Sequence, residues 1–164
     1  MASNVGQPVV GLDLSPSWLR YAAKRGPARL QYIAGDAAVL PFRDGAFDLT
    51  IAVTALCFVT DQRLALRELV RVTRRRFAVG LLNRRSLLWR HRAGHGGYAG
   101  AHWHTSSEVR TLFQGLNVCH LRVWSGIFCP SGTTLARALE AITPRSLLWG
   151  GFLLATGEAA SGAT

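Results

Sequence analysis

Short β-branched runs alternate with helix-spaced apolar stripes along most of the chain. Pro8–Leu14 (PVVGLDL) is too short for a helix and reads as a parallel strand buried on both faces. Ser15 and Pro16 supply an N-cap and a first-turn proline. A helical stripe of Trp18, Leu19, Ala22 and Ala23 follows and stops at Gly26-Pro27. Leu30–Ala34 is a second strand ending in Gly35-Asp36, and a turn at Arg43-Asp44-Gly45 leads to a third strand, Phe47–Val53. Asp61 caps a helix that turns Leu64, Leu66, Leu69, Val70 and Val72 inward and its arginines outward. Phe77–Leu82 (FAVGLL) is the fourth strand.

From Asn83 to His104 the periodicity dissolves into glycine, histidine and arginine, which predicts loop with one helical turn. Thr105-Ser106-Ser107-Glu108 has capping-box spacing and opens a helix to about Leu116. Val118–Trp124 alternates as a strand, Thr133–Ile142 reads as a helix stopped by Pro144, and Gly151–Thr156 is a last strand. This order predicts an α/β fold, a doubly wound sheet with an antiparallel last strand pair, in one domain spanning residues 1–164.

Composition narrows the class. Of the 164 residues, 49% are hydrophobic and 17% charged, which excludes a disordered or collagenous chain. The net charge is +10, and Lys24 is the only lysine among nineteen basic residues, so the field is nearly all guanidinium and favours anions without choosing among them. The longest apolar stretches, IAVTALCFV and LLWGGFLLA, fall short of the roughly 20 residues that span a bilayer, so membrane insertion is not expected. Cys57, Cys119 and Cys129 are scattered and odd in number, and the first residues lack a signal-peptide pattern. Both features point to a reducing, cytoplasmic setting.

In open α/β sheets ligands bind beyond the carboxyl ends of the strands. Asp13 ends the first strand, where a carboxylate accepts hydrogen bonds from vicinal ribose hydroxyls, and Asp36 ends the second, beside the N–H of Ala37. Such a pair describes an adenosine pocket, although a single acid after a strand is more often only a turn residue. At this point VVGLDLS, GDAAVLPFRDGAFDLTIAVTAL and LALRELVRV resemble the cofactor-side motifs of class I S-adenosylmethionine-dependent methyltransferases, in particular the type 11 group. TSSEVRTLF and GGFLLATGE resemble that group's late helix and last strand. The resemblance implies S-adenosylmethionine as cofactor, with Asp13 on the ribose, Leu14 against the adenine, Asp36 and Ala37 at the adenine edge, and Val53 beside the methionine moiety.

The sequence departs from that family in one respect: no G-x-G-x-G turn and no strand carrying it precede VVGLDLS. The expectation is therefore a partial Rossmann-like sheet with first strand and helix missing, in which Pro8–Leu14 and Phe47–Val53 pair with each other or leave open edges. A start placed too far downstream, a truncated paralogue, or a dimer or partner completing the sheet would each account for it. The 164 residues alone are expected to bind cofactor weakly or not at all.

Methyl transfer needs mainly an oriented nucleophile, so no catalytic residue is assigned. Tyr98, His102, Trp103 and His104 are the candidate contacts to a small-molecule substrate, with packing of a lid as the plainer role. Cys57 and Phe58 occupy the place of the family's frequent histidine pair, which removes a base there. His91, His95, His102 and His104 cluster in sequence, but Gly94, Gly96 and Gly97 argue against a shared helix face, and no metal is assigned. A nucleic-acid binder built on Arg71, Arg74, Arg75, Arg76, Arg84, Arg85, Arg90 and Arg92 is one rival reading, and a catalytically dead interaction module is the other.

Overall fold

In the computed structural model of the chain, residues 8–27, 30–126 and 148–160 are described. The predicted helix at Thr133–Ile142 lies outside these residues, as does Cys129. The elements are β1 (Val9–Asp13), α1 (Pro16–Arg25), β2 (Leu30–Ala34), β3 (Phe47–Val53), α2 (Gln62–Val72), β4 (Thr73–Asn83), α3 (Leu87–Arg92), β5 (Trp103–His104), α4 (Ser106–Leu112), β6 (Val118–Gly126) and β7 (Phe152–Ala159). The architecture is α/β with a Rossmann-like mixed sheet, as the pattern predicts. No helix among the described residues is long and apolar enough to cross a membrane.

The strands divide into two sheets. β1 and β2 pair in parallel, Val9 opposite Leu30 through Asp13 opposite Ala34. The larger sheet runs β3-β4-β7-β6, with β3 parallel to β4 and with β7 antiparallel to both β4 and β6. β5 adds two parallel pairings to β4, at Leu82 and Asn83, where β3 has already ended. β1 and β3 do not pair with each other among the described residues. Leu49, Ile51 and Val53 stand exposed along one face of β3.

Sequence periodicity builds the core on the other face. α2 contributes Leu66, Leu69 and Val70, α4 contributes Val109, β4 gives Phe77, Val79 and Leu81, and β7 gives Leu153 and Ala155, all buried. Phe113, just past α4, stacks on Phe77 with ring centroids 5.3 Å apart. Phe77 fits only because its cross-strand partner is Gly157, where a Cβ would lie 2.7 Å from Phe77 Cζ.

Several local expectations need correction. Leu64 is exposed rather than inward, because it falls in the first turn of α2, ahead of the stretch that meets the sheet. In α1, Trp18 and Ala23 are exposed, and the Ser15 hydroxyl bonds Ser17 Oγ instead of capping the helix. β4 starts at Thr73, four residues early, because Thr73 pairs with Phe47 of β3; the Thr50 and Thr73 hydroxyls also meet at 2.5 Å. Within 83–104 the chain forms α3, a 3-10 turn at Gly96–Tyr98 and β5, more structure than its composition suggests. Ser86 caps α3 by accepting from Trp89 N–H at 3.1 Å. β7 extends to Ala159, beyond the predicted Thr156. Asp61 does cap α2, accepting from Leu64 N–H at 2.9 Å, and both bonds of the Thr105–Glu108 capping box are present.

Candidate functional site

The cofactor residues named from sequence stand at the carboxyl ends of β1, β2 and β3. Asp13 closes β1 opposite Ala34, and Gly35 N–H donates to the Asp13 carbonyl at 3.1 Å, so the turn carrying Asp36 begins beside Asp13. A Cβ at Gly35 would lie 2.9 Å from Leu12 Cδ1, so a larger residue here would push the Leu12 side chain aside. Each carboxylate forms a local turn: Oδ1 of Asp13 accepts from Ser15 N–H and Oδ1 of Asp36 from Ala38 N–H, both at 2.8 Å. The second oxygen of each, and the N–H of Ala37, have no partner among the described residues. This donor and acceptor set fits a nucleoside, whose ribose hydroxyls donate to carboxylates and whose ring offers both an amine and an acceptor nitrogen. Leu14, directly after β1, and Val53, the last residue of β3, are largely exposed and offer apolar surface.

One rim residue escapes sequence reasoning. Thr54, directly after β3, has φ 59°, a left-handed conformation that strains a β-branched residue. Its N–H donates to Gly80 O at 2.8 Å, extending the β3–β4 ladder, and its hydroxyl donates to Val53 O at 2.7 Å. Nothing in the local sequence VTAL signals this turn.

The ring of segments after Thr54 is tied together around Cys57. Cys57 is fully buried, its Sγ accepts from Leu82 N–H at 3.3 Å, and its carbonyl accepts from His102 N–H at 2.7 Å. Burial pushes the thiol pKa up, so Cys57 is a structural thiol and not a nucleophile. Next to it lies a cleft of about 390 Å³ lined by Gln62, Arg63, His102, Trp103, His104 and residues of α4. Three of the four substrate candidates thus share one cleft, and the fourth, Tyr98, packs its ring 5.6 Å from that of Trp103.

His104 is buried and held. Gln62 Nε2 donates to Leu56 O, leaving Gln62 Oε1 to accept from His104 Nε2–H at 2.8 Å, which leaves Nδ1 as an unprotonated, buried acceptor without a partner among the described residues. Burial lowers its pKa below the ordinary imidazole range, only partly opposed by Glu108.

A second constraint lies behind Asp36. Arg71 of α2 donates to both oxygens of Glu68, to Asp44 Oδ1, and to the carbonyls of Leu40 and Phe42, while Glu68 accepts from Leu40 N–H. These bonds clamp the segment that leaves the Asp36 turn onto the helix. Bonding to Arg71 holds Glu68 well below the usual carboxylate range.

The same bonds weaken the nucleic-acid reading. Arg71, Arg74, Arg76 and Arg84 are paired with acids, namely Glu68 and Asp44, Asp48, Glu158, and Glu108. Half of the expected basic patch is therefore neutralised locally, which the one-dimensional charge count could not show. His91 lies on α3 and His95 beyond its end, so the two do not share a helix face.

Residues 1–76 match the profile of a type 11 methyltransferase domain. Demethylmenaquinone methyltransferase of Renibacterium salmoninarum is 39% identical over 72 residues, covering 44% of this chain and 30% of that protein. The match thus spans under a third of that relative's length. An S-adenosylmethionine-dependent methyltransferase from Thermotoga maritima superimposes with a TM-score of 0.70 at 23% identity, over 91% of this chain and 72% of that one. A methyltransferase bound to the Trm112 activator of Haloferax volcanii superimposes with a TM-score of 0.63 at 23% identity, over 92% and 71% of the two chains. Residues 1–76 thus match a type 11 methyltransferase domain, and the fold of the chain is that of the S-adenosylmethionine-dependent methyltransferases.

Proposed function

We propose that this chain transfers a methyl group from S-adenosylmethionine to a small-molecule acceptor. The observation that carries the reading is the pair of turn-locked carboxylates at adjacent strand ends, each with an oxygen left over. In this reading Asp13 accepts from the ribose hydroxyls, Leu14 lies against the adenine, Asp36 and the Ala37 N–H meet the adenine edge, and Val53 borders the methionine portion. When bound, the cofactor supplies an electrophilic methyl on a sulfonium. The residues' task is then placement: His102, Trp103 and Tyr98 shape the acceptor side, and His104 acts behind them as a positioning residue through Gln62. The odd count of three cysteines suits a reducing, cytoplasmic setting.

A second reading rests on a different observation. The edges of β1 and β3, without strand partners on one side among the described residues, suit a strand from a second copy or a partner, so cofactor binding depends on that completion, or the chain serves only as an interaction module. Calorimetric titration of S-adenosylmethionine and S-adenosylhomocysteine into the chain separates the two. The first reading expects weak but measurable binding that falls at least tenfold in Asp13→Asn and in Asp36→Asn and holds in Asp48→Asn. Binding indifferent to both substitutions would refute the site. No binding by the well-folded chain alone would favour the second reading.

A further inference from the structure

β6 contains an irregularity that the methyltransferase reading does not use. Cys119 pairs with Glu158 of β7 and Arg122 pairs with Thr156, so His120 and Leu121 together oppose Gly157 alone. This is a β-bulge, and its first residue, His120, has φ 54°, in the left-handed region. In a regular strand the side chains of Cys119 and His120 would point to opposite faces. The bulge cancels that alternation. Cys119 Sγ, a ring nitrogen of His120 and a carboxylate oxygen of Glu158 consequently lie within 4.8 Å of one another.

Thiolate, imidazole and carboxylate together are the donor set of borderline-soft, late first-row divalent cations. Around a tetrahedral zinc, bond lengths of about 2.0–2.3 Å place neighbouring ligand atoms about 3.3–3.8 Å apart. The observed group needs to close by only an ångström or so, and His120 is exposed and Glu158 only half-buried, so both can rotate. Arg76 is the competing charge: its Nε already pairs with Glu158 Oε1 at 3.4 Å, and a bound cation must displace it. The Cys119 thiol makes only a 3.7 Å contact to the Glu158 carbonyl. A divalent cation with one thiolate, one carboxylate and a neutral imidazole is electrically neutral, so the overall positive charge of the chain does not oppose it strongly.

We propose that Cys119, His120 and Glu158 form a three-ligand binding site for zinc or a cation of its class, which fastens the edge strand β6 to β7. Binding forms the sulfur–metal bond with release of the Cys119 thiol proton to solvent, and water or another small ligand completes the coordination. The site lies beside Arg76 at the start of β4, about 20 Å along that strand from Asn83 at its carboxyl end, given ~3.3 Å per residue. It is therefore separate from the proposed cofactor rim.

Zinc alone, titrated into the tag-free reduced chain against a chromophoric chelator, tests the proposal without reference to activity. One equivalent is expected to bind, with affinity at least tenfold weaker in Cys119→Ser and in His120→Asn. Asparagine tolerates the left-handed backbone, so the second variant removes the imidazole while keeping the bulge. Far-UV circular dichroism establishes that each variant folds. Cobalt is expected to give a thiolate charge-transfer band that Cys119→Ser abolishes. Failure of the folded wild type to take up zinc at micromolar concentration would overturn the proposal. So would full retention of uptake in His120→Asn, or its loss in His91→Asn/His95→Asn.

Discussion

Replacing Arg71 by methionine keeps the aliphatic stem and deletes the clamp between α2 and the segment after Asp36. Three kinds of bond are lost. The double bond to Glu68 joins side chains only 29% and 16% exposed, and a charge-assisted pair of this kind contributes about 1.5–3 kcal/mol. The bond to Asp44, whose side chain is 81% exposed, contributes at most about 0.5 kcal/mol after solvent screening. The carbonyls of Leu40 and Phe42 regain water in part, for about 0.5–1 kcal/mol between them. The total is about 3 kcal/mol, a large share of the 5–15 kcal/mol typical of a domain. With a urea m-value of ~2 kcal/mol/M, the midpoint should fall by about 1.5 M.

Urea melts of wild type, Arg71→Met, Glu68→Gln and the double variant isolate the pair, whose coupling should be about 1.5–2 kcal/mol. The pH dependence adds an independent check. Glu68 is depressed in the folded chain, so its contribution is complete above the unfolded carboxylate pKa near 4.3 and is lost as pH falls through the lower native value. Arg71→Met should remove that acid dependence. A midpoint within about 0.2 M of wild type, with no coupling to Glu68, would refute this account of the clamp.

Three further outcomes follow from other contacts. Asn83→Ala leaves the carbonyls of Leu148 and Gly150 without the donor that now reaches them at 2.9 and 2.7 Å, and chemical denaturation should show a loss of about 2–4 kcal/mol. His104 is depressed, so the folded chain loses stability as pH falls below the unfolded imidazole value of about 6.5 toward the native one. Melting temperature against pH should therefore be flatter between 7 and 5 in His104→Phe than in wild type, and equal slopes would contradict the burial argument. Thr105→Ala removes the capping box of α4 and should cost about 0.5–2 kcal/mol, measured by urea denaturation, with Thr105→Ser close to wild type.

Much of this protein was decided by its sequence alone, because the signals are local. β2 and β3 fall where alternation and β-branching place them, and Asp61 and Thr105 cap α2 and α4 because a cap involves residues three positions apart. The two acids stand at strand ends for the same reason: the polar residue that closes an apolar run also ends the strand. Tertiary structure decided the rest. Asn83 is buried through bonds to carbonyls 65 and 67 residues away, and the region around it gains α3 and β5 from packing against β4 rather than from its own composition. The guanidinium of Arg71 looks like surface charge in one dimension and becomes a clamp only when Leu40, Phe42 and Asp44 arrive. The left-handed turns at Thr54 and His120 have no sequence signature, since neither residue prefers that conformation strongly enough to announce it, and each is imposed by the pairing of its neighbours. Contacts between distant segments depend on which strands pair and in what register, and periodicity, which repeats over two to four residues, carries no record of that.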